Sequence, residues 1–568
     1  MTEIDELLHT KRLRRFEGRD SAKSPCLACR FLLFLIITSL MKRNKTDTLQ
    51  ERSNQPQSAN LSRRKFLMAG GAAATAFVVV PRHVLGGPGF VAPNDKITLA
   101  HIGCGTQGLR EMLGLLAMPE IQIVSVCDPV KESYDYVDWS QDGLRSDIAK
   151  ALNKPDWKSG RTGIPGGRDV AKEIVEISYA NQRRSGKFNG CTTYIDFREL
   201  LEKESDLNAV KVMTPDHLHA TISIAAMKKG KHAMMHKPLA NRLQEARLVI
   251  ETARKTEVAT HFMPASDGAN IRTIKTMIDD GTIGNLREIH NWSNRPVWPQ
   301  YPALPTDQPP VPPDFDWNLW LGPSLDRPYH PNYTNAVFRG WYEFGGGAVA
   351  DMGHYSLWPV FRLFELDAPF AVESRPTHIC AMDGKVPHKV QNDYSFPASC
   401  TIRFRFAAKR NRQPLDIFWY DGSIKPPTPD ELGNQDLEAE GMMFVGDKGK
   451  ILAGFLGEDA KLLPEQKMLE YRAKKGLPEK QQSARRGGRT EAVALWVAAC
   501  KGGPHTYGDF LMAGPISDAF NLGAVSLRLG GRKLLFDSAK AEVTNVAEAN
   551  KYLTREYRKG WELTAAGG

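Results

Sequence analysis

Short apolar runs alternate with an amphipathic stretch in the first half of the chain. Asp216–Lys229 predicts a helix, because Leu218, Ile222 and Ala225 recur at the spacing of one helix face. Four short and mostly apolar runs predict buried strands: Lys96–Ile102, Ile121–Cys127, Asn208–Met213 and Lys231–Met235. Strands that alternate with helices pair in parallel, so this region predicts a doubly wound parallel sheet.

The second half has a different pattern. Ile402–Phe406 alternates apolar and charged residues as a half-buried strand does, and Leu415–Tyr420 predicts another strand. Gly446–Gly449 joins two apolar runs and predicts a hairpin turn. Strands without intervening helices indicate an α+β domain with a large, mostly antiparallel sheet.

Two stretches fit neither pattern. The polar stretch between Ser133 and Gly190 matches no standard crossover between strands. Arg295–Pro331 contains 11 prolines and several tryptophans, which predicts a long arm without regular elements. Such an arm either wraps a neighbouring subunit of a homo-oligomer, a dimer or tetramer, or lines a sugar pocket with its aromatic rings.

The start of the chain has the pattern of an export address. Ser62–Leu67, with its pair Arg63 and Arg64, precedes the apolar run Met68–Val80, an order typical of a twin-arginine signal. The run is shorter than the roughly 20 residues that span a bilayer. We expect the twin-arginine translocase as a partner and a periplasmic or otherwise exported product. The alternative is an Ala-rich helix with two surface arginines.

The length of 568 residues exceeds what one core usually organises, so several domains are expected. We place a disordered extension and the signal peptide at 1–92, with cleavage between about Val84 and Pro93. The Rossmann nucleotide-binding domain is expected at 93–262, and the α+β domain for substrate binding and oligomerisation at 263–568.

Charge and cysteine content exclude two protein classes. The net charge of +10 is concentrated in residues 1–88, whose 15 Lys and Arg face 7 Asp and Glu, and the remainder carries only +2. A near-neutral body gives no electrostatic argument for a nucleic-acid partner. The cysteines after residue 88 are scattered without metal-ligand spacing, so we expect mostly buried thiols and no metal site, with a disulfide framework as the alternative.

A glycine-rich motif follows the first predicted strand. Gly103, Gly105 and Gly108 form G-x-G-x-x-G between a strand and a helix, the context in which this motif binds the pyrophosphate of a dinucleotide. Thr106 and Gln107 complete the predicted cofactor loop, and Asp128 ends the second strand. A carboxylate there accepts hydrogen bonds from a ribose and repels a 2′-phosphate, so NAD is favoured and NADP is the alternative. Without a cofactor, the motif is a glycine-rich turn of another α/β sheet.

Three later segments carry further motifs, namely Thr214–His219 (TPDHLH), Lys237–Ala240 (KPLA) and Gly345–Tyr355 (GGGAVADMGHY). Together they resemble the Gfo/Idh/MocA family of oxidoreductases, the glucose-fructose oxidoreductase and inositol dehydrogenase type. The resemblance runs from about Asp95 to Leu563, and Trp317–Pro323 is similar to exported members with a twin-arginine signal.

The resemblance implies site residues. Lys237 would hydrogen-bond the reacting oxygen and the nicotinamide ribose, while Asp351 would fix the substrate. Thr214, Pro215 and His219 would contact the cofactor. An N-cap role for Asp351 and a solvated strand-end position for Lys237 are the structural alternatives.

The chain departs from the family pattern at two positions. His236 stands where the family has an acid that orients the lysine. The family's histidine lies four residues after the aspartate, whereas here Tyr355 occupies that place and His354 lies three residues after it. Because positions i+3 and i+4 share a helix face, either His354 or Tyr355 is the predicted acid/base group. The alternative for both is ordinary core packing, and His217 is expected at the surface.

Three functions remain open at this stage. The resemblance implies NAD(P)-dependent hydride transfer between a secondary alcohol of a sugar or polyol and a tightly bound nicotinamide cofactor. The first alternative is a glycoside hydrolase or lyase in which the bound cofactor oxidises a ring hydroxyl transiently and is regenerated in each cycle. The second is a catalytically idle sugar sensor that binds the cofactor.

Overall fold

A computed structural model describes residues 92, 95–183, 186–409, 412–478 and 489–563. The predicted extension and export signal, including Arg63 and Arg64, lie outside the described residues. None of the described helices is long and apolar enough to cross a membrane.

The first described domain is a parallel six-stranded sheet in the order β3-β2-β1-β4-β5-β6. Its strands are almost wholly buried, as expected where helices cover both faces of a parallel sheet. The strands are β1 (Ile97–Ile102), β2 (Ile121–Cys127), β3 (Thr192–Tyr194), β4 (Ala209–Val212), β5 (His232–His236) and β6 (Thr260–Met263). The doubly wound sheet predicted from the sequence is confirmed.

Helices connect these strands and pack on the sheet. Each buries its apolar stripe, as α1 does with Leu109, Met112 and Leu115. The helices are α1 (Thr106–Leu116), α2 (Gly143–Ala151), α3 (Arg168–Asn181), α4 (Phe197–Lys203), α5 (His219–Lys228) and α6 (Leu243–Thr256). One 3₁₀ turn, Asp216–Leu218, precedes α5.

The stretch between Ser133 and Gly190, which the sequence left without a crossover, contains α2 and α3. Helix α3 packs on the sheet through Val170, Ile174 and Val175, and the Ile123 amide donates to the Tyr179 hydroxyl at 2.8 Å. This segment is therefore the β2 to β3 crossover, lengthened by a loop.

The second domain is built on a nine-stranded sheet in the order β15-β14-β13-β7-β12-β11-β8-β16-β17. Only β7 and β12 pair in parallel there, so the predicted mostly antiparallel sheet is confirmed. The strands are β7 (Leu286–Trp292), β8 (Ala371–Pro376), β11 (Cys400–Phe406), β12 (Leu415–Tyr420), β13 (Gly441–Gly446), β14 (Lys450–Ala453), β15 (Lys461–Leu463), β16 (Leu534–Asp537) and β17 (Glu542–Val543); β9 (Cys380–Asp383) and β10 (Val386–Lys389) form a separate hairpin.

Helices cover one face of the large sheet. On β11, every second side chain points to that face and is buried beneath α12. The predicted turn at Gly446–Gly449 joins β13 to β14. The helices are α7 (Ala269–Asp279), α8 (Trp317–Leu321), α9 (His354–Leu363), α10 (Glu465–Lys475), α11 (Arg489–Cys500) and α12 (Gly514–Arg528).

The proline-rich arm, residues 295–331, contains one short helix, so the prediction that it has no regular element is wrong. Helix α8 fits into the proline-free interval between Pro313 and Pro323, and the side chain of Asp316 caps it by accepting from the Leu319 amide at 2.8 Å. The aromatic rings of the arm and of the turns after it form a core of their own: Trp317, Trp320, Tyr333, Phe338, Trp341 and Phe344.

Candidate active site

The glycine loop, residues 103–108, turns directly from β1 into α1. Gly103 has φ +98°, and a Cβ there would lie 2.5 Å from the Met213 carbonyl carbon. A Cβ on Gly108 would overlap the carbonyl oxygen of Gly103. Both positions therefore exclude a side chain, and the backbone amides at the start of α1 face the cleft described below.

Asp128 stabilises this loop from the end of β2. Its Oδ2 accepts from the Cys104 amide at 2.6 Å and its Oδ1 from the Val130 amide at 2.8 Å. Burial raises the pKa of Asp128 to about 6, so the carboxylate is ionised at neutral pH. It also lines the cleft, which leaves the predicted ribose contact sterically open.

A cleft of about 450 Å³ runs along the glycine loop. Its other walls come from residues 128–136, from residues 213–218 at the end of β4, and from residues 312–339. The predicted cofactor residues Gly103, Gly105, Thr106, Gln107, Gly108, Asp128, Thr214 and Pro215 all line it. The arm thus packs on the chain's own nucleotide-binding domain.

Backbone hydrogen bonds fasten the arm over the end of β2. The Lys131 amide donates to the Asp314 carbonyl at 2.9 Å, and the Asp316 amide donates to the Pro129 carbonyl at 3.1 Å. Beyond the arm, Asn335 Nδ2 donates to the Asp135 carbonyl at 2.8 Å. Residues from the second half therefore close one side of the cleft.

Thr214 offers an open contact to a ligand. Its buried hydroxyl has no hydrogen-bond partner among the described residues, and the residue lines the cleft. His219 lies one layer behind it, with Nε2 2.8 Å from the Thr214 carbonyl and Nδ1 2.6 Å from the Pro238 carbonyl. His219 therefore joins two loops of the site, and its predicted cofactor contact stays a prediction.

His217 was expected at the surface, and this prediction is wrong. The ring is fully buried between Trp320 and Phe344, and Nε2 lies 2.9 Å from the Trp320 carbonyl. The arm covers His217 through Trp320.

Lys237 and Asp351 form a buried ion pair at the carboxyl end of β5. Their residues are 3% and 7% exposed, and the Lys237 ammonium donates to Asp351 Oδ1. Burial opposes ionisation of Asp351, but Lys237 and Arg339 hold its pKa at about 2; burial lowers the pKa of Lys237. The solvated position weighed for Lys237 is thereby excluded.

Sequence reasoning missed Arg339, which connects this ion pair to the cleft. Its Nε lies 3.3 Å from Asp351 Oδ1, and one terminal nitrogen lies 3.8 Å from Asp216 Oδ1. Arg339 lines the cleft, whereas Lys237 and Asp351 lie directly behind it. No motif marked this arginine, which lies in a short 3₁₀ helix, Asn335–Gly340, before the glycine triplet.

A π-helical segment, Val349–Gly353, decides which side chain accompanies Asp351. Its turn is wider than that of an α-helix, so position i+3 rotates away from the face of residue i and position i+4 stays near it. Asp351 also caps no helix, which removes the N-cap alternative.

Tyr355 consequently lies beside the ion pair and His354 does not. The Lys237 ammonium is 5.6 Å from the centre of the half-buried Tyr355 ring. His354 is 1% exposed, packs edge-on against Phe262 and Phe520, and its Nδ1 lies 2.8 Å from the Ala350 carbonyl. Burial lowers the pKa of His354 to about 3, and its Nε2 has no hydrogen-bond partner among the described residues.

His236, which departs from the family pattern, contacts the carboxylate of Glu111, a residue far from it in the sequence. His236 Nδ1 lies 2.9 Å from Glu111 Oε1 on α1, and Lys211 Nζ lies 2.6 Å from Glu111 Oε2. Gln107 of the glycine loop donates to Glu111 at 3.2 Å. The partner of Lys237 is Asp351, so the loss of the usual acid at position 236 does not leave the lysine unpaired.

Two family models match consecutive parts of the chain. The model described as oxidoreductase family, NAD-binding Rossmann fold, matches residues 144–263. The model of the oxidoreductase family C-terminal alpha/beta domain matches residues 268–398. Both models belong to the Gfo/Idh/MocA oxidoreductase family, and together they match less than half of the chain. The first match begins after the glycine loop, which precedes the long crossover.

Curated relatives are distant. Levoglucosan dehydrogenase of Pseudarthrobacter phenanthrenivorans is 28% identical over 143 residues, which are 24% of this chain and 35% of the relative. A glycosyl hydrolase family 109 protein of Shewanella baltica is 23% identical over 243 residues, 40% of this chain and 44% of the relative. The chain thus matches less than half the length of either relative.

Among solved structures, the WlbA dehydrogenase of Bordetella pertussis in complex with NADH and UDP-GlcNAcA is similar at a TM-score of 0.45 and 14% identity, over 78% of this chain and 99% of that one.

Proposed function

We propose that this chain transfers a hydride between a secondary alcohol of a sugar or polyol and a nicotinamide cofactor, NAD with NADP as the alternative. The observation that carries the proposal is the buried Lys237–Asp351 pair directly behind a cleft that begins at a glycine-rich loop. A buried ammonium held by a carboxylate is suited to donate a hydrogen bond to a reacting oxygen.

The cleft fits a dinucleotide on three observations. A side chain on Gly103 or Gly108 would collide with backbone, the start of α1 faces the cleft, and the buried Thr214 hydroxyl lacks a partner among the described residues. The glycine loop would hold the pyrophosphate and Asp128 the ribose. When bound, the dinucleotide supplies the hydride acceptor.

The residues around Lys237 divide the remaining chemistry. Lys237 donates to the oxygen that becomes the carbonyl, while Asp351 and Arg339 orient the alcohol through its hydroxyl groups. Tyr355 takes up the hydroxyl proton, because its ring lies beside the Lys237 ammonium, 5.6 Å from the ring centre. We assign the acid/base role to Tyr355 and not to His354.

The test starts with the nucleotide. Protein purified without added cofactor is denatured, and the released nucleotide is identified by mass spectrometry. Loaded protein is then screened for reduction of the cofactor with levoglucosan, myo-inositol and free hexoses. Absence of both a bound nucleotide and affinity for added NAD and NADP would overturn the proposal.

The second candidate function is redox-assisted cleavage of a glycoside. Oxidation of a ring hydroxyl to a ketone would acidify the neighbouring C–H bond, and loss of that proton would expel the glycosidic leaving group. Water would then add to the resulting enone, and return of the hydride to the ketone would regenerate the cofactor. The closed side of the cleft and the similarity to glycosyl hydrolase family 109 proteins favour it. Release of p-nitrophenol from hexose p-nitrophenyl glycosides without net NADH would select this function over net oxidation.

The fastened arm predicts tight retention of the cofactor. Phe315 lines the cleft and bridges to Val130 at the end of β2, so Phe315→Ala removes part of the closed wall. We expect the dissociation constant for NADH to rise about tenfold, the equivalent of 1.4 kcal/mol. Fluorescence titration of NADH measures it, and the nucleotide should also be lost faster on dialysis.

Leu304→Ala is the matched control, because Leu304 is 48% exposed on the same arm and does not line the cleft. Equal NADH affinity of the Phe315→Ala and parent proteins would show that the arm does not hold the nucleotide.

We further propose export by the twin-arginine route and assembly into a homo-oligomer, which light scattering on the purified protein would measure. The double change Arg63→Lys and Arg64→Lys retains both charges but removes the arginine pair. We expect the full chain to stay in the cytoplasmic fraction in a bacterial host, whereas Lys42→Arg as a control leaves export unchanged. Equal periplasmic amounts of parent and double variant would contradict the proposal.

A further inference from the structure

We infer that Glu111 and His236 form a proton relay behind Tyr355. The inference rests on the proposed function, in which Tyr355 takes the substrate proton. His236 is a departure from the family pattern, and Glu111 belongs to no sequence motif.

The distances define a continuous path. The Tyr355 hydroxyl lies 3.4 Å from His236 Nε2, and His236 Nδ1 lies 2.9 Å from Glu111 Oε1. A ring nitrogen facing a carboxylate carries the hydrogen, so Nε2 keeps its lone pair toward the phenol. Distances near 3.4 Å are usual for catalytic hydrogen bonds before substrate is bound.

The surroundings hold His236 neutral at rest and place the Glu111 carboxylate where it can offset the charge of a transiently protonated ring. Charged and titratable groups face it from three neighbouring elements: Glu111 on α1, Lys211 on β4, and Tyr355 with His354 on α9; Lys237 follows it in the chain. Burial lowers the pKa of His236 to about 4, against the opposing effect of Glu111.

Lys211 gives this carboxylate a fixed position. Glu111 and Lys211 are 7% and 1% exposed, and Lys211 Nζ lies 2.6 Å from the carboxylate oxygen that His236 does not face. Oε2 therefore faces Lys211, while Oε1 faces His236 and also accepts from Gln107 Nε2 at 3.2 Å. A purely structural ion pair would not need the histidine between the carboxylate and the phenol.

The proton balance is closed within these residues. As the substrate O–H bond breaks, its proton passes to Tyr355 Oη and the phenol's own proton passes to His236 Nε2. The O–H electron pair forms the carbonyl, and the hydride from the C–H bond of the same carbon would be taken up by the nicotinamide when the cofactor is bound. The imidazolium forms beside the Glu111 carboxylate, which offsets its charge in a buried site. In the reverse reaction the same proton returns.

The first test reads the tautomer of His236 and needs no substrate. Protein labelled with ¹⁵N-histidine is loaded with NADH, and long-range ¹H–¹⁵N correlations are recorded, with His236→Gln identifying the signals. We expect a neutral ring with hydrogen on Nδ1, and Glu111→Gln should shift the population toward hydrogen on Nε2. A ring that carries hydrogen on Nε2 in the parent protein overturns the inference.

The second test uses the substrate identified in the screen. Glu111→Gln and His236→Gln should each lower kcat about 10²-fold with little change in KM, because general acid/base transfer supplies that order of rate. The pH dependence of kcat should shift in Glu111→Gln. Unchanged kcat in both variants would overturn the relay even if the tautomer is as expected.

Controls separate this outcome from failure of the proposed function. Glu202→Gln makes the same chemical change on the surface, where Glu202 pairs with Lys229 at 2.5 Å, and should keep full activity. NADH affinity and melting temperature are measured for every variant. If the parent protein oxidises the substrate and Glu111→Gln and His236→Gln do so with the same kcat, the relay is wrong while the oxidoreductase function stands.

Discussion

Replacing Lys237 by methionine is expected to abolish turnover while nucleotide binding remains. Methionine keeps the length of the side chain but removes the ammonium that polarises the reacting oxygen. Loss of a buried charged donor together with acid/base positioning predicts a fall in kcat of at least about 10³-fold. Asp351 retains Arg339 at 3.3 Å, so its carboxylate keeps one cation.

The measurement is single-turnover reduction of bound cofactor with the best substrate of the screen, alongside NADH titration. Lys229→Met is the matched control, because Lys229 is exposed and pairs only with Glu202 on the surface among the described residues. Comparable rates in Lys237→Met and the control would show that Lys237 does not take part in the reaction, whereas an inert parent protein would favour the cofactor-binding sensor.

Adding one methyl group at Gly108 is expected to prevent dinucleotide binding. A Cβ on Gly108 overlaps the carbonyl oxygen of Gly103, which forces the glycine loop and α1 apart. The loop then loses hydrogen bonds to the pyrophosphate, and each bond to a charged group contributes about 1.5–3 kcal/mol. We expect NADH affinity to fall about 10²-fold or more in Gly108→Ala, with a lower melting temperature.

Gly114 offers a control on the same helix. A Cβ at Gly114 meets no atom within 4 Å, so Gly114→Ala should stabilise α1 by up to about 1 kcal/mol and leave binding unchanged. Calorimetry and NADH titration on both variants compare the same substitution at a filled and an open position. Equal affinities would show that the glycine loop does not bind the nucleotide.

Local patterns predicted the scaffold of the site well. The strand into Gly103, the glycine spacing and Asp128 at the end of β2 are neighbours along the chain, and short-range rules describe them. The turn at Gly446–Gly449 and the alternation in β11 are equally local, and both were confirmed.

Side chains that meet across long sequence separations were beyond pattern reasoning. Lys237 and Asp351 are 114 positions apart, and only the family resemblance suggested that they act together. Glu111 occupies a buried position of an ordinary amphipathic helix, where nothing in the sequence marks a partner for His236. Arg339 is similarly unmarked.

The choice between His354 and Tyr355 needed backbone geometry. In a regular helix, positions i+3 and i+4 both share a face with position i, so the sequence left both open. A π-helical segment at Val349–Gly353 breaks that equivalence, and nothing in the motif announces it.

If the cleft holds the cofactor as proposed, the arm that closes it makes cofactor affinity depend on completion of the chain. The Rossmann sheet is complete once the chain has been synthesised through residue 263, where β6 ends. Residues 312–339, which form the opposite wall of the cleft, have not yet been synthesised at that point. Nucleotide captured early would sit in an open groove and exchange freely. Under the proposed function, durable occupancy would begin only after the C-terminal half has folded back, and a retained cofactor would mark a fully synthesised and folded molecule.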